Sequence, residues 1–564
     1  MKKQTLLILI SGFLLFSGYA QTSQDPMPAL AQLVKQASAQ VQQKGEAAFK
    51  QFRMPGSKWR QGETYVFVLD KEGNMLVHPD PDMEGDNQLY LTDIKGKLII
   101  QGLINTVYSF PNKKEGWYHY QWPVPGGMLP RWKSSFVKQV QAPSGNTYIV
   151  GSGIYNDRME KSFVVDIVEN AVAEIEKNGK DAFPILHDPK GPFIAKDAYV
   201  FVTDTTGVEL VNPIFPNLEG RSLIDLKDAQ GKYLVREMLL ELKSANSGWV
   251  NYMWPKPGES VPTQKTTYVA KAKLGNSWVL VGCGVHLADA PKAAVAGVKK
   301  MTAAELKANV REAAAIFTAK GEKAFPEFRT KGSKWFHDDT YYFVWTMDGV
   351  RLFHAADPAH EGINVSNLKD ALGRPMGKML LEIASEPTGE GWIHYMYPEP
   401  GDIFPTWKST YVKRVTFPSG IQYMIGSGIY NMQMDKAFIE DVVDRASQMI
   451  EAKGAYAFPA LRDPLGAFVF MDTYVFVQST DGTELVNAAQ PTFEGKHLID
   501  LKDLKGRKVV RDQIQLAMEK GSGWLDFYWY TPGDNRPALK RTYVRKVQHK
   551  GETYIVGSGL YIQE

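Results

Sequence analysis

Four glycine-tryptophan strands, each followed by a proline-glycine turn and then a lysine, constrain this chain more than any other feature. The fullest copy runs Gly248-Trp-Val-Asn-Tyr-Met-Trp-Pro-Lys-Pro-Gly258 and reaches Lys265. Gly116-Trp117 leads through Trp122 and Gly126 to Lys133, and Gly391-Trp392 through Tyr397 and Gly401 to Lys408. Gly523-Trp524 leads through Trp529 and Gly533 to Lys540. A second motif repeats with it. Gly151-Ser-Gly-Ile-Tyr-Asn156 returns as Gly426-Ser-Gly-Ile-Tyr-Asn431, with variants at Gly282-Cys-Gly-Val-His286 and Gly557-Ser-Gly-Leu-Tyr561. A period of about 130 residues is far longer than a solenoid repeat, so each module can hold its own core.

The copies alternate in kind. Modules one and three share Gly56-Ser-Lys-Trp59 with Gly332-Ser-Lys-Trp335, and His78 with His354. Modules two and four share Asn212 with Asn487, and Leu223-Ile-Asp-Leu-Lys-Asp228 with Leu498-Ile-Asp-Leu-Lys-Asp503. A two-module unit that duplicated once explains this A-B-A-B order. The expected boundaries are 27–156, 157–287, 302–430 and 431–564, with a linker at 288–301.

Residues 1–20 read as a secretory signal peptide. Lys2 and Lys3 precede an apolar run from Leu6 to Phe16 and a small-residue site at Gly18-Tyr19-Ala20, the alternative being an uncleaved anchor. The mature chain is expected to begin near Gln21, outside the cytoplasm, with no further membrane span. Cys283 is the only cysteine, so no internal disulfide can form. A formal net charge of +3 without a Lys/Arg run argues against a nucleic-acid partner.

Within a module the hydrophobic period changes from helix to strand. Phe163, Ile167, Ala171 and Ile175 predict an amphipathic helix capped by Asn156, and Phe438, Val442, Ala446 and Met449 predict one capped by Asn431. Glycine closes each helix at Gly45, Gly179, Gly321 and Gly454. A hairpin follows, as in Tyr199-Val-Phe-Val-Thr, a turn at Asp204 to Gly207, and Val208 to Val211. Then come a short amphipathic segment to about Leu242 and three antiparallel strands. The fold class is α+β, with helices packed on one antiparallel sheet per module.

This ordered set resembles the single-Cache type of extracytoplasmic sensor domain. The likeness rests on the long helix, the Tyr-x-Phe-Val hairpin with Asp-x-x-Gly, Leu-Glu-Gly, the Gly-Trp strand with its Pro-x-Pro-Gly turn, Lys-x-x-Tyr and the terminal Gly-x-Gly-x-Tyr. The resemblance implies four tandem PAS-like modules that bind short organic acids in a pocket on one sheet face. Members of the family usually serve chemoreceptors and sensor kinases, whereas an output domain is not expected from these residues.

The lysines Lys133, Lys265, Lys408 and Lys540 are the candidate anion ligands, because an ammonium among aromatic rings can hold a carboxylate while the rings exclude water. The other reading is a surface lysine whose stem covers a tryptophan. Tyr252 and Trp254 share a strand face, as do Tyr120 with Trp122 and Tyr395 with Tyr397, and Trp529 stands at the same place. Lys265 and Tyr268 face opposite ways unless a bulge brings them together. Tyr65, Tyr199, Tyr341 and Tyr474 open the hairpins and either line the pocket or belong to the core. His78, His354, Asn212 and Asn487 close the hairpins and either face the pocket or hold the next turn. The tryptophans after glycine are expected to pack.

No catalytic constellation is legible. His119 and His394 lack metal-spaced partners, Asp82, Glu84 and Asp86 lack the glycine and glutamate of a calcium loop, and Cys283 reads as a small buried side chain. The expectation is a binding or sensing protein without a cofactor, taking a small organic anion and acting through a membrane-bound signalling partner. The alternative is a structural protein whose modules have filled pockets, a reading to which module four leans because Phe527 and Tyr530 replace a tyrosine and a proline.

Overall fold

Apolar side chains recurring every three to four residues fold the start of each module into one long helix. These are α1 (Pro26–Lys44), α2 (Lys161–Asn178), α3 (Ala303–Lys320) and α4 (Lys436–Lys453). The computed structural model describes residues 26–93, 95–110, 112–125, 130–155, 158–257, 262–287, 301–337, 339–400, 405–532 and 537–562. The leader, residues 288–300 of the linker, Asn156 and the turn glycines Gly126, Gly258, Gly401 and Gly533 lie outside the described residues.

Burial rather than propensity fixes these helices. α2 buries Phe163, Val164, Ile167, Val168, Ala171 and Ile175, each large apolar side chain contributing about 1.5–3 kcal/mol. In α4 the buried stripe follows the i to i+4 row and ends on Ile450, so Met449 is only half-buried. Gly179, Gly321 and Gly454 end three of the helices at φ of +59°, +56° and +58°, a left-handed conformation that glycine adopts without Cβ strain. The expected Asn431 cap is corrected. The Asp435 side chain caps α4, accepting from the Ala437 N–H at 2.8 Å. Asn431 is used earlier, in a positive-φ turn that leaves the preceding strand. Its N–H donates to the Trp407 carbonyl at 2.8 Å. Glu160 precedes α2.

Module two shows the sheet most simply. Strands β1 (Phe201–Asp204), β2 (Glu209–Val211), β3 (Ser247–Pro255), β4 (Pro262–Leu274) and β5 (Ser277–His286) are antiparallel, in the order β2-β1-β5-β4-β3. The main sheets of the other three modules repeat that order, with an added strand, Arg60–Gln61, in module one. Because side chains alternate along a strand, each sheet carries two cores. Val202, Val281, Cys283 and Val285 meet α2 on one face. Phe201, Tyr252, Trp254 and Leu280 meet the helix Leu234–Ser244 on the other. This is the α+β arrangement read from the sequence.

Modules one and two, and modules three and four, are joined through packed rings. Phe163 of α2 lies 4.7 Å from both Trp117 and His119 of the preceding sheet. Phe438 of α4 lies 4.7 Å from Trp392 and 4.6 Å from His394. Trp117 and Trp392 therefore pack as expected, Trp249 and Trp524 pack half-buried on Tyr268 and Tyr543, and the two histidines are buried. The Lys97 ammonium donates to the Ile194 carbonyl at 3.2 Å, and the Arg374 guanidinium to Gly466 and Val469 at 2.6 and 3.1 Å. Among the described residues no helix is long and apolar enough to cross a membrane.

Candidate functional site

The middle strand of the repeated motif positions each lysine. In β4, Lys265 pairs with Tyr252 on one side and His286 on the other. The equivalent sets are Tyr120, Lys133 and Tyr155; Tyr395, Lys408 and Tyr430; and Phe527, Lys540 and Tyr561. The pairing around Lys265 is regular, without a bulge. Tyr268 consequently faces the α2 side, against Trp249 at 5.2 Å.

All four lysines are buried, with exposures of 1%, 0%, 1% and 2% in chain order. Each ammonium lies over the ring of the hairpin tyrosine: Lys133 over Tyr65 at 3.9 Å, Lys265 over Tyr199 at 4.3 Å, Lys408 over Tyr341 at 3.8 Å and Lys540 over Tyr474 at 4.1 Å. This excludes the surface-lysine reading. Burial pushes the Lys133 ammonium down to about 7 and that of Lys265 to about 8, and holds Lys408 well below the usual range.

The second glycine of the terminal Gly-x-Gly makes the space for these stems. A Cβ on Gly153 would stand 2.4 Å from Lys133 Cε, and one on Gly284 2.6 Å from Lys265 Cε. At Gly428 and Gly559 the distances to the lysine Cε are 2.7 and 2.8 Å. The two motifs that recur through the sequence thus belong to one site.

The remaining candidates gather around the lysines. Tyr65, His78, Tyr120, Trp122 and Lys133 line a cavity of about 20 Å³ in module one. Tyr341, His354, Tyr395, Tyr397 and Lys408 line another of about 20 Å³ in module three. In module four Tyr474, Asn487, Trp529 and Lys540 line one of about 30 Å³. Tyr199, Tyr252 and Trp254 form the buried wall in module two, where the Trp254 indole donates to the Tyr199 hydroxyl at 3.0 Å. Module three also opens on a cleft of about 560 Å³ that shares Tyr341, His354 and Tyr397 with the inner cavity.

The polar hairpin residues do two things at once. His78 meets the Tyr65 hydroxyl through Nε2 at 3.3 Å, and its Nδ1 accepts from the Asp80 N–H at 3.1 Å. Asn212 and Asn487 hold the following turn, each Oδ1 accepting a backbone N–H at 2.9 Å, from Phe215 and Gln490. Burial brings His78 down to about 4 and His354 to about 3, so both imidazoles are neutral near pH 7.

Sequence reasoning missed the variable position beside these groups. On the second hairpin strand stand Met75, Glu209, Arg351 and Glu484, paired with Leu69, Thr203, Trp345 and Gln478. Met75, Arg351 and Glu484 line the same cavities as the lysines. Arg351 is also ion-paired with Asp357 at 3.2 Å. The signal was available, because the string Glu-Leu-Val-Asn occurs at 209 and at 484. Tyr155, Tyr430 and Tyr561 were missed too; their rings lie 5.3, 4.5 and 5.1 Å from the lysine ammonium groups.

Comparison with known proteins follows the same lines. Residues 46–197, 329–464 and 460–564 match the Cache domain family, and residues 166–300 match Single Cache domain 2. The methyl-accepting chemotaxis protein McpP of Pseudomonas putida is 33% identical over 93 residues, 16% of this chain and 17% of that protein. The sensor histidine kinase MctS of Rhizobium johnstonii is 34% identical over 94 residues, 17% of this chain and 20% of that protein. The chain thus spans a fifth or less of these relatives' length. A solved Cache chemosensory domain, described with its structural basis for carboxylic acid recognition, is 29% identical. It covers 22% of this chain and 91% of its own, with a TM-score of 0.20.

Proposed function

This chain belongs to the Cache domain family, and from that premise we propose that it is a periplasmic or secreted sensor whose lysine pockets hold the carboxylate of a short organic acid. Its signal passes to a membrane-bound partner, in keeping with the chemotaxis receptor and sensor kinase among its relatives.

One observation carries the reading. Four ammonium groups are buried among aromatic rings, and among the described residues none forms an ion pair. An unpaired buried charge costs several kcal/mol, which a bound carboxylate offsets through a charge-assisted hydrogen bond. The tyrosine hydroxyls at the same cavities supply further donors.

Cavity size limits the ligand. About 10–15 Å³ holds one water, so cavities of about 20–30 Å³ admit only a short acid, and only as the wall side chains move outward. The same volumes favour the second reading, modules whose pockets are filled by their own aromatics.

Thermal unfolding of the mature chain with acetate, propionate and longer acids separates the two readings. Binding predicts stabilisation of about 2.7 kcal/mol at a hundredfold excess over the dissociation constant, diminished by Lys133→Met and Lys408→Met. If no acid raises the melting temperature, the pockets are structural and the proposal fails.

A further inference from the structure

Two turns remain that the pockets do not explain. The first, an aspartate turn ahead of the helix Leu234–Ser244 and its counterparts, is built alike in all four modules. Asp93, Asp228, Asp370 and Asp503 each accept, on one carboxylate oxygen, the N–H of the cation four residues on, at 2.9–3.0 Å. The other oxygen accepts a strand N–H at 2.9–3.2 Å, from Gln121, Met253, Met396 and Tyr528. That strand carries the ring wall of the pocket. Gln121 stands between Tyr120 and Trp122, and Met396 between Tyr395 and Tyr397.

The cation of this turn ends differently in odd and even modules. Lys97 and Arg374 are 3% and 2% exposed and cross to the second turn, the Asp188-Pro or Asp463-Pro segment of the next module. Lys97 Nζ donates to the Ile194 carbonyl at 3.2 Å. Arg374 donates to the Gly466 and Val469 carbonyls at 2.6 and 3.1 Å, and to His394 of its own module at 2.6 Å. The charges of Asp188 and Asp463 act on these cations. Counted back from the hairpin tyrosines, Met54 and Thr330 stand where those aspartates do, so the odd modules have no acid at this position. Lys232 and Arg507 turn back on carbonyls of their own modules, Asn251 and Asp526, and are half-buried and exposed respectively.

The ring-bearing strand is the edge of its sheet and is bonded on one side only. It therefore yields more easily than the flanked lysine strand when an acid enters and the rings move outward. The aspartate carries that movement to the cation, because one carboxylate holds both. A hydrogen bond of about 3 Å weakens steeply with displacement, and a buried carbonyl that loses its donor is costly. The cation is thus either seated or withdrawn, a two-state element of the kind that couples distant sites. Resting on the carboxylate reading given above, we infer that Lys97 and Arg374 couple each odd module to the even module after it. Acid in module one unseats Lys97 from module two, and acid in module three unseats Arg374 from module four. The path stops at each even module, whose cation stays at home. The unit that duplicated is then a coupled pair, and the Asp-Pro turn is the seat that marks its second member.

Hydrogen exchange of the mature chain, followed by mass spectrometry with and without saturating propionate, reads whether the cation is seated. Exchange over 188–195 and 463–470 is expected to quicken by about tenfold or more, the loss of one charge-assisted hydrogen bond, with no quickening over 54–61 and 330–337. The Lys97→Met/Arg374→Met variant should bind propionate more tightly in calorimetry, by up to about tenfold, because coupling is reciprocal and its empty pockets have no contact to break. Propionate binding with exchange over 188–195 and 463–470 unchanged or slowed overturns this inference and leaves the carboxylate reading standing. That result needs no variant to fold. Quickening spread equally to 54–61 and 330–337 overturns it as well, and so does wild-type affinity in a folded double variant. If propionate does not bind, the carboxylate reading has failed and the coupling fails with it.

Discussion

The Lys133 ammonium donates to the Tyr65 hydroxyl at 2.6 Å and lies 3.9 Å from the centre of that ring. One side chain thus supplies both the neutral acceptor and the π face that keep the lysine inside the sheet without a counter-ion. Burial nevertheless lowers its ordinary value of 10.5 to about 7. Carboxylate binding requires the charged form, so above pH 7 the empty pocket must take up a proton on binding. Propionate affinity in module one is expected to fall as pH rises through 7, by up to about tenfold per unit. Calorimetry in buffers of different ionisation enthalpy reads that uptake, and an affinity flat from pH 6 to 9 contradicts it.

A second prediction comes from module four. Tyr120, Tyr252 and Tyr395 each meet a hydroxyl of the neighbouring strand at 2.9 Å, on Ser135, Thr267 and Thr410. Phe527 replaces that tyrosine, and Thr542 Oγ1 is buried without a partner. Phe527→Tyr should stabilise the chain by about 0.5–1.5 kcal/mol, measured as a rise in the urea midpoint. A lower midpoint would mean that the cavity cannot admit the hydroxyl.

Gly153→Ala tests the link between the two sequence motifs. The new Cβ would lie 2.4 Å from Lys133 Cε and 2.5 Å from Ser135 Oγ. The flexible lysine end gives way more cheaply than the strand, so the chain should stay folded while propionate binding in module one is lost. Retained binding with an unchanged circular dichroism spectrum contradicts the coupling.

Glu484 provides a test of stability against pH. Its folded value of about 7 lies above the ordinary 4.5, so the folded chain binds more protons between those values. The stability this contributes is fully present below 4.5 and is lost as pH rises through 7. Glu484→Gln should flatten the decline in urea midpoint between about pH 5 and pH 7. Lys265 acts above this window, titrating from about 8 towards 10.5. An unaltered slope in the variant would show that Glu484 is not the group concerned.

Much of this was legible in the chain. Fourfold recurrence gave the modules, and the helical spacing of Phe163 to Ile175 and the alternation of Tyr252 and Trp254 gave the elements and their faces. What periodicity leaves open is the direction of a residue in a strand whose two faces are both buried. Lys265 reads equally well as a surface residue until β3 and β5 are seen to flank it. Glu209 was hidden for the same reason: a glutamate in an alternating hairpin looks solvent-facing unless its opposite neighbour is known to be core. Asn431 failed as a cap because a turn of the preceding strand claimed it.

The central claim is that each buried lysine in modules one and three is the seat of a carboxylate. A crystal structure of the mature chain grown with saturating propionate tests it most directly. The account predicts density for the acid in those pockets, its carboxylate at about 2.7–2.9 Å from Lys133 Nζ and Lys408 Nζ, with the surrounding rings moved outward. Pockets still closed by their own tyrosines, with both ammonium groups unaccompanied at saturating propionate, would contradict it.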